Sequence, residues 1–111
     1  MEKYLEKEII YNKLVRDFIP EVITRSNKSF TSHIATESEY KYELFKKLRE
    51  ETEELINEPC IEEIADILEV LDSIKKLYGF SDKEISVTKL KKLKERGGFE
   101  KGIVLETVKS K

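Results

Sequence analysis

Glu51 and Glu54, in LREETEELI, and Glu63 and Asp66, in CIEEIADIL, stand at mirror-image distances from the break at Asn57-Glu58-Pro59. If both stretches are helices folded back on each other, Glu54 faces Glu63 and Glu51 faces Asp66. The i,i+3 spacing within each pair places its members about 5–6 Å apart on one helix face. Four acidic groups converging this way repel one another unless a multivalent cation lies between them. Clustered oxygen ligands suit a hard ion, Mg²⁺ or Mn²⁺ rather than Zn²⁺. The chemistry predicted is a metal site that acts on phosphates.

A chain that is 40% charged offers rivals to this set. Glu69 and Asp72 repeat the ExxD spacing, but the same mirror places Glu69 opposite Leu48 and Asp72 opposite Phe45. Neither finds a carboxylate partner. Two basic pairs are the other candidates. Lys13 and Arg16 are three apart in KLVRD, with Asp17 next to them, and Lys92 and Arg96 are four apart just before Gly97-Gly98 and Phe99. The ordinary fate of Lys and Arg is solvated surface. Arg16, however, falls among Leu14, Val15, Phe18 and Ile19, where a buried cation requires an anionic partner. Gly97-Gly98 reads either as a helix stop or as a place where backbone amides approach a phosphate.

The elements that must position these residues are well punctuated. Thr36-Glu37-Ser38-Glu39 has the capping-box form and opens a helix running to about Asn57. Its predicted buried stripe is Leu44, Phe45, Leu48, Thr52, Leu55 and Ile56. Pro59 forces Glu58 out of the helical region and ends it. A second helix is predicted from about Cys60 to Tyr78, with Ile61, Ile64, Ile67, Leu68, Leu71, Ile74 and Leu77 inside and Gly79 as a left-handed stop. Ser81-Asp82-Lys83-Glu84 caps a third, to about Arg96. A short helix suits Asp17 to Ser26, with Asp17 as N-cap and Pro20 in the first turn. Lys7 to Leu14 is extended or irregular, and Asn27 to Ala35 is a loop with a short extended piece. Gly102 to Val108 is β-prone and reads as an extended arm.

Length and composition narrow the class. A chain of 111 residues and 13.1 kDa is one small domain, and 39% apolar residues suit a thin helical fold that completes its core with a second copy. A net charge of -2 gives no electrostatic case for a nucleic-acid polymer. Positions 50–72 are acidic, whereas 89–101 carry Lys89, Lys91, Lys92, Lys94, Arg96 and Lys101. An acidic metal site beside a basic segment is what a metal–polyphosphate ligand requires. The single Cys60 excludes an internal disulfide or a cysteine metal cluster and reads as a packed thiol, and His33 has no triad partner. MEKYLEKEII is too charged for a signal peptide and no apolar run approaches a membrane span, so a cytoplasmic, soluble protein without a membrane partner is expected.

YNKLVRDFIPEVI, LREETEELI, EEIADILEVLDSI and KERGGFEKGIVL, in this order, resemble the MazG-like all-α nucleoside triphosphate pyrophosphohydrolases. The small, single-domain, phosphoribosyl-ATP pyrophosphohydrolase-like branch is the nearest in pattern. The resemblance runs from residue 11 to residue 105, and the family signature, EExxE then ExxD, reads Glu50-Glu51-Thr52-Glu53-Glu54 and Glu63-Ile64-Ala65-Asp66. Phe18 stands where the family usually has Lys. The resemblance implies one helical domain over 1–111, an antiparallel helical hairpin whose core is completed by homodimerisation, or a tetramer, into a four-helix bundle. It implies cleavage of a nucleotide substrate between its α and β phosphates. Carried over by position, Glu51, Glu54, Glu63 and Asp66 hold Mg²⁺ or Mn²⁺, and Glu50 or Glu51 activates or orients the attacking water. Lys92 and Arg96 meet the phosphates, and Lys13 and Arg16 have a phosphate or structural role. Two other classes compete: a nucleotide-binding or sensing module without efficient turnover, and a structural helical dimerisation protein. The first differs only in kinetics; the second gives no reason for carboxylates to face each other across a hairpin.

Overall fold

Local signals set the helix ends. The computed structural model describes residues 7–110, and the expectation drawn from MEKYLEKEII falls largely on residues outside that range. Four helices and no strand occur among the described residues: α1 (Ile19–Arg25), α2 (Glu37–Asn57), α3 (Ile61–Tyr78) and α4 (Asp82–Arg96). The class is all-α. Thr36 caps α2 by accepting from the Glu39 amide at 3.3 Å, and Ser81 caps α4 by accepting from the Glu84 amide at 3.0 Å. The Glu39 carboxylate turns to His33 Nε2, 2.9 Å away. Gly79 ends α3 in the left-handed region, at φ 71, which a side chain would disfavour.

The expected start of the first helix is corrected. Asp17 does not cap α1: the N-cap is Phe18, without a side-chain bond, because a turn from Arg16 O to the Ile19 amide (3.0 Å) delays the helix. The helix therefore begins at Ile19, with Pro20 in its first turn as expected. Gly102 to Val108 forms neither helix nor strand, and its apolar side chains are exposed.

The three residues between Asn57 and Ile61 fold α3 back along α2, and this is the one extensive helix packing among the described residues. The seam is narrow. On α2 it takes Leu44, Leu48, Glu51 and Leu55; on α3 it takes Glu63, Ile67, Val70, Ile74 and Leu77, each at alternating three- and four-residue steps. Among the described residues only Leu44, at 2% exposure, and Val70, at 9%, are buried apolar residues. Thr52, expected inside, is exposed and bonds the Leu48 carbonyl at 2.8 Å. Ile61, Ile64, Leu68 and Leu71 form a second stripe on α3 that faces away from α2 and is exposed. On α2, Tyr42 and Ile56 are exposed, and Phe45 is exposed apart from its contact with Tyr78.

The open end of the hairpin is closed by aromatic rings. Tyr78 meets Phe45 edge-on, with centroids 6.3 Å apart, and stacks on Phe80 at 5.6 Å. Lys75 bonds both Asp72 and Asp82 at 2.7 Å and fixes the corner into α4. Those two carboxylates, Asp72 first, push the Lys75 ammonium up to about 12, and Lys75 in turn holds the Asp82 carboxyl below its ordinary range. Beyond that corner α4 has no buried residue. The radius of gyration is 20.6 Å with extents of 82 × 30 × 26 Å, whereas a compact chain of similar length has about 13 Å. No helix among the described residues is long and apolar enough to cross a membrane.

Candidate metal centre

Glu51 and Glu63 occupy seam positions where neighbouring turns place leucine, isoleucine and valine. The fold therefore draws their carboxylates toward the helix–helix interface. Glu51 is 6% exposed; Glu63 and Asp66 are half-buried. One oxygen from each of Glu51, Glu63 and Asp66 lies within 4.8 Å of the other two. Oxygens at 2.0–2.6 Å from a shared Mg²⁺ or Ca²⁺-sized ion are at most about 5 Å apart, so the spacing fits one divalent cation. Glu54 is exposed at the rim, and its charge and carboxyl act on Glu63.

Glu51 Oε2 and Glu63 Oε2 are both sealed from solvent without a hydrogen-bond partner. A sealed, donorless carboxylate oxygen is costly and requires a proton or a cation. The Glu63 carboxyl responds accordingly: burial raises it to about 7, helped by hydrogen bonding to Glu51, the charges of Glu54 and Glu51, and hydrogen bonding to Glu54. When all three groups are ionised no donor lies between them; a proton on Glu63 supplies one. An oxygen-only donor set with two orphaned oxygens fits a hard divalent cation.

Three cations surround this cluster. Lys47, one turn before Glu51, places Nζ 3.7 Å from Glu51 Oε1. Arg16 Nη2 donates to Asp66 Oδ1 at 2.7 Å, and Lys13 Nζ lies 3.8 Å from Glu50 Oε2. The KLVRD segment thus lies against the carboxylates; Arg16 pairs with an anion, but it is more than half exposed and flanked by exposed Val15 and Phe18, so it is not the buried cation its apolar sequence neighbours suggested. Lys47 was missed in the sequence; its i,i+4 relation to Glu51 is the signal that could have found it.

Lys92 and Arg96 are not brought to the cluster within one copy. Both are exposed on α4, which packs extensively on neither hairpin helix, and no ion pair ties them to the carboxylates among the described residues. Glu69 is exposed and Asp72 is engaged by Lys75, so the rival ExxD pair gathers no carboxylate cluster. Cys60 is a half-buried free thiol at the start of α3. Compared with protein-family models, curated proteins and solved structures, the chain matches none.

Proposed function

We propose that this chain is a metal-dependent nucleotide pyrophosphohydrolase that cleaves a nucleoside triphosphate, or a related nucleotide, between its α and β phosphates. The products are a monophosphate and pyrophosphate. The observation that carries this reading is Glu51: a carboxylate buried in the helix seam, with a sealed oxygen lacking any donor, gathered with Glu63 and Asp66 from the opposite helix. A purely structural hairpin gains nothing from that arrangement, since an apolar side chain there packs without the desolvation cost.

Glu51, Glu63 and Asp66, with Glu54 at the rim, are the residues that would hold Mg²⁺ or Mn²⁺. Held there, such an ion would supply positive charge for the phosphates and would make a bound water more acidic. Glu50, half-buried next to Glu51 in sequence and 3.8 Å from Lys13, would accept a proton from water and orient it. Lys92 and Arg96 neutralise charge on the departing pyrophosphate, Arg96 through a two-pronged contact. Phosphoryl transfer asks for positioning and charge neutralisation, so no covalent nucleophile is needed.

The active form is a homodimer in this reading. The exposed stripe Ile61, Ile64, Leu68, Leu71, with Tyr42 and Ile56 on α2, pairs with that of a second hairpin into a four-helix core. Docking of two copies also supplies the surface on which α4, with Lys92 and Arg96, comes to rest. The deciding experiment is pyrophosphate release across a panel of canonical and modified nucleotides, with Mg²⁺ and with chelator. Chelator-sensitive release that Glu51→Gln abolishes is the expected result; release from no nucleotide in the panel overturns the enzyme reading.

A further inference from the structure

Residues 7–18, ahead of α1, have no regular secondary structure, yet two of their side chains reach the two hairpin helices separately. Lys13 meets Glu50 on α2 at 3.8 Å, and Arg16 meets Asp66 on α3 at 2.7 Å. Asp66 is also one of the three carboxylates whose oxygens converge with Glu51. The guanidinium therefore sits on a group that a divalent cation would need. A carboxylate committed to a close arginine contact is a poorer metal ligand, and two cations on one anion repel. Arg16 and the metal are competitors for Asp66.

The contact is also one that can be given up. Arg16 and Asp66 are 57% and 37% exposed, Lys13 and Glu50 47% and 26%, and exposed ion pairs are held weakly. Apolar anchoring is slight: Leu14 is half-buried, whereas Ile9, Ile10, Tyr11 and Val15 are exposed. Lys47 differs, because its helix fixes it beside Glu51 whatever else binds.

We propose that Arg16 is a displaceable counter-charge: it pairs with Asp66 of the carboxylate cluster, and metal entry at that carboxylate would release the guanidinium to bind the phosphates of the incoming nucleotide. This rests on the metal-site reading above. It makes metal and nucleotide binding cooperative, because the metal would both occupy the carboxylates and free Arg16 for the phosphates.

The test uses the full chain and Mn²⁺. Calorimetric titration of Arg16→Gln with Mn²⁺ alone should give affinity about five- to tenfold tighter than wild type, as one opposing charge is removed. Arg16→Lys, which keeps the charge, should stay near wild type. Binding of a non-hydrolysable triphosphate in saturating Mn²⁺ should be about tenfold weaker in Arg16→Gln. Trypsin cleavage after Lys13 and Arg16, read by mass spectrometry in the wild type, should accelerate when Mn²⁺ is added. Equal or weaker Mn²⁺ affinity in Arg16→Gln, or cleavage that Mn²⁺ leaves unchanged or slows, overturns the strap while the metal site stands. Absence of Mn²⁺ binding in both proteins at millimolar concentration removes the metal site and the strap with it.

Discussion

Glu51 on α2 and Glu63 on α3 meet across the hairpin seam, and each carries an oxygen that is sealed from solvent and lacks a hydrogen-bond donor. These are positions where neighbouring turns supply Leu48, Leu55, Ile67 and Val70. The hairpin therefore holds like charges where its own packing would favour apolar groups. Such a conflict costs stability and is expected where a site must wait for a ligand.

Removing the conflict should stabilise the metal-free protein. Glu51→Leu replaces a buried carboxylate, whose Oε2 lacks a donor while Oε1 has only the Lys47 ammonium at 3.7 Å, with an apolar side chain of similar reach, and relief of an unsatisfied buried group contributes about 1–3 kcal/mol. The melting temperature in chelator should rise above wild type. The same variant should lose any gain from divalent ions, which in the wild type reaches about 2.7 kcal/mol when the ion is at a hundred times its Kd. A lower melting temperature in chelator would show that Glu51 already has a stabilising partner.

The Glu63 carboxyl gives the pH dependence a definite sign. It is raised from 4.5 to about 7 in the folded chain, so between those values the native state binds a proton that the unfolded state has released. Its contribution to stability is fully present below pH 4.5 and is lost as pH rises through about 7. Thermal melts in chelator should fall over this window, and Glu63→Gln should flatten the fall. Metal needs the ionised form, so Mn²⁺ affinity should rise with pH up to about 7 and then level off. A metal affinity indifferent to pH across that window would detach Glu63 from the site.

Much of this architecture is legible because it is local. Thr36, Gly79 and Ser81 act on their own helix ends, and a tight hairpin is enough to gather Glu51, Glu63 and Asp66, whereas Glu54 of the mirror set stays exposed outside the convergent three. What periodicity could not resolve is which of two interleaved stripes on α3 faces α2. Ile67, Val70, Ile74 and Leu77 do; Ile61, Ile64, Leu68 and Leu71 do not, and both sets repeat at helical intervals. Val70 was missed for that reason. The Arg16–Asp66 bond joins residues 50 apart, and no spacing rule encodes it. The position of Lys92 and Arg96 depends on where α4 docks, which no helix-face argument fixes.

The second α3 stripe sets the expectation for assembly. Leu68 is exposed in one copy, so Leu68→Asp should be harmless to an isolated hairpin but disruptive to a four-helix core. Light scattering should give the wild type twice the 13.1 kDa chain mass at micromolar concentration, or a multiple of that. Leu68→Asp should shift it toward the single-chain mass, with a lower melting temperature. A wild type that is folded and monomeric would contradict the shared core.

The basic face of α4 discriminates an enzyme from a scaffold. Lys92 and Arg96 are four apart, hence on one side of the helix, and Arg96 ends it just before Gly97, whose φ is 80. If that side meets the leaving pyrophosphate, Arg96→Ala should slow turnover about ten- to a hundredfold, because charge-assisted contacts contribute about 1.5–3 kcal/mol. Arg96→Lys should recover only part of the loss, since Lys cannot make the two-pronged contact. Arg96 also lies in the last turn, where a cation steadies the helix end, so the variants must be compared for stability as well as rate. Stabilisation by Mn²⁺ should survive in both, because the carboxylates are untouched. Lys91 points about 100° away from Lys92 around the helix, and Lys91→Ala should leave turnover near wild type. Wild-type activity in Arg96→Ala removes Arg96 from the site; equal losses in Lys91→Ala and Arg96→Ala mean that a different face of α4 meets the phosphates.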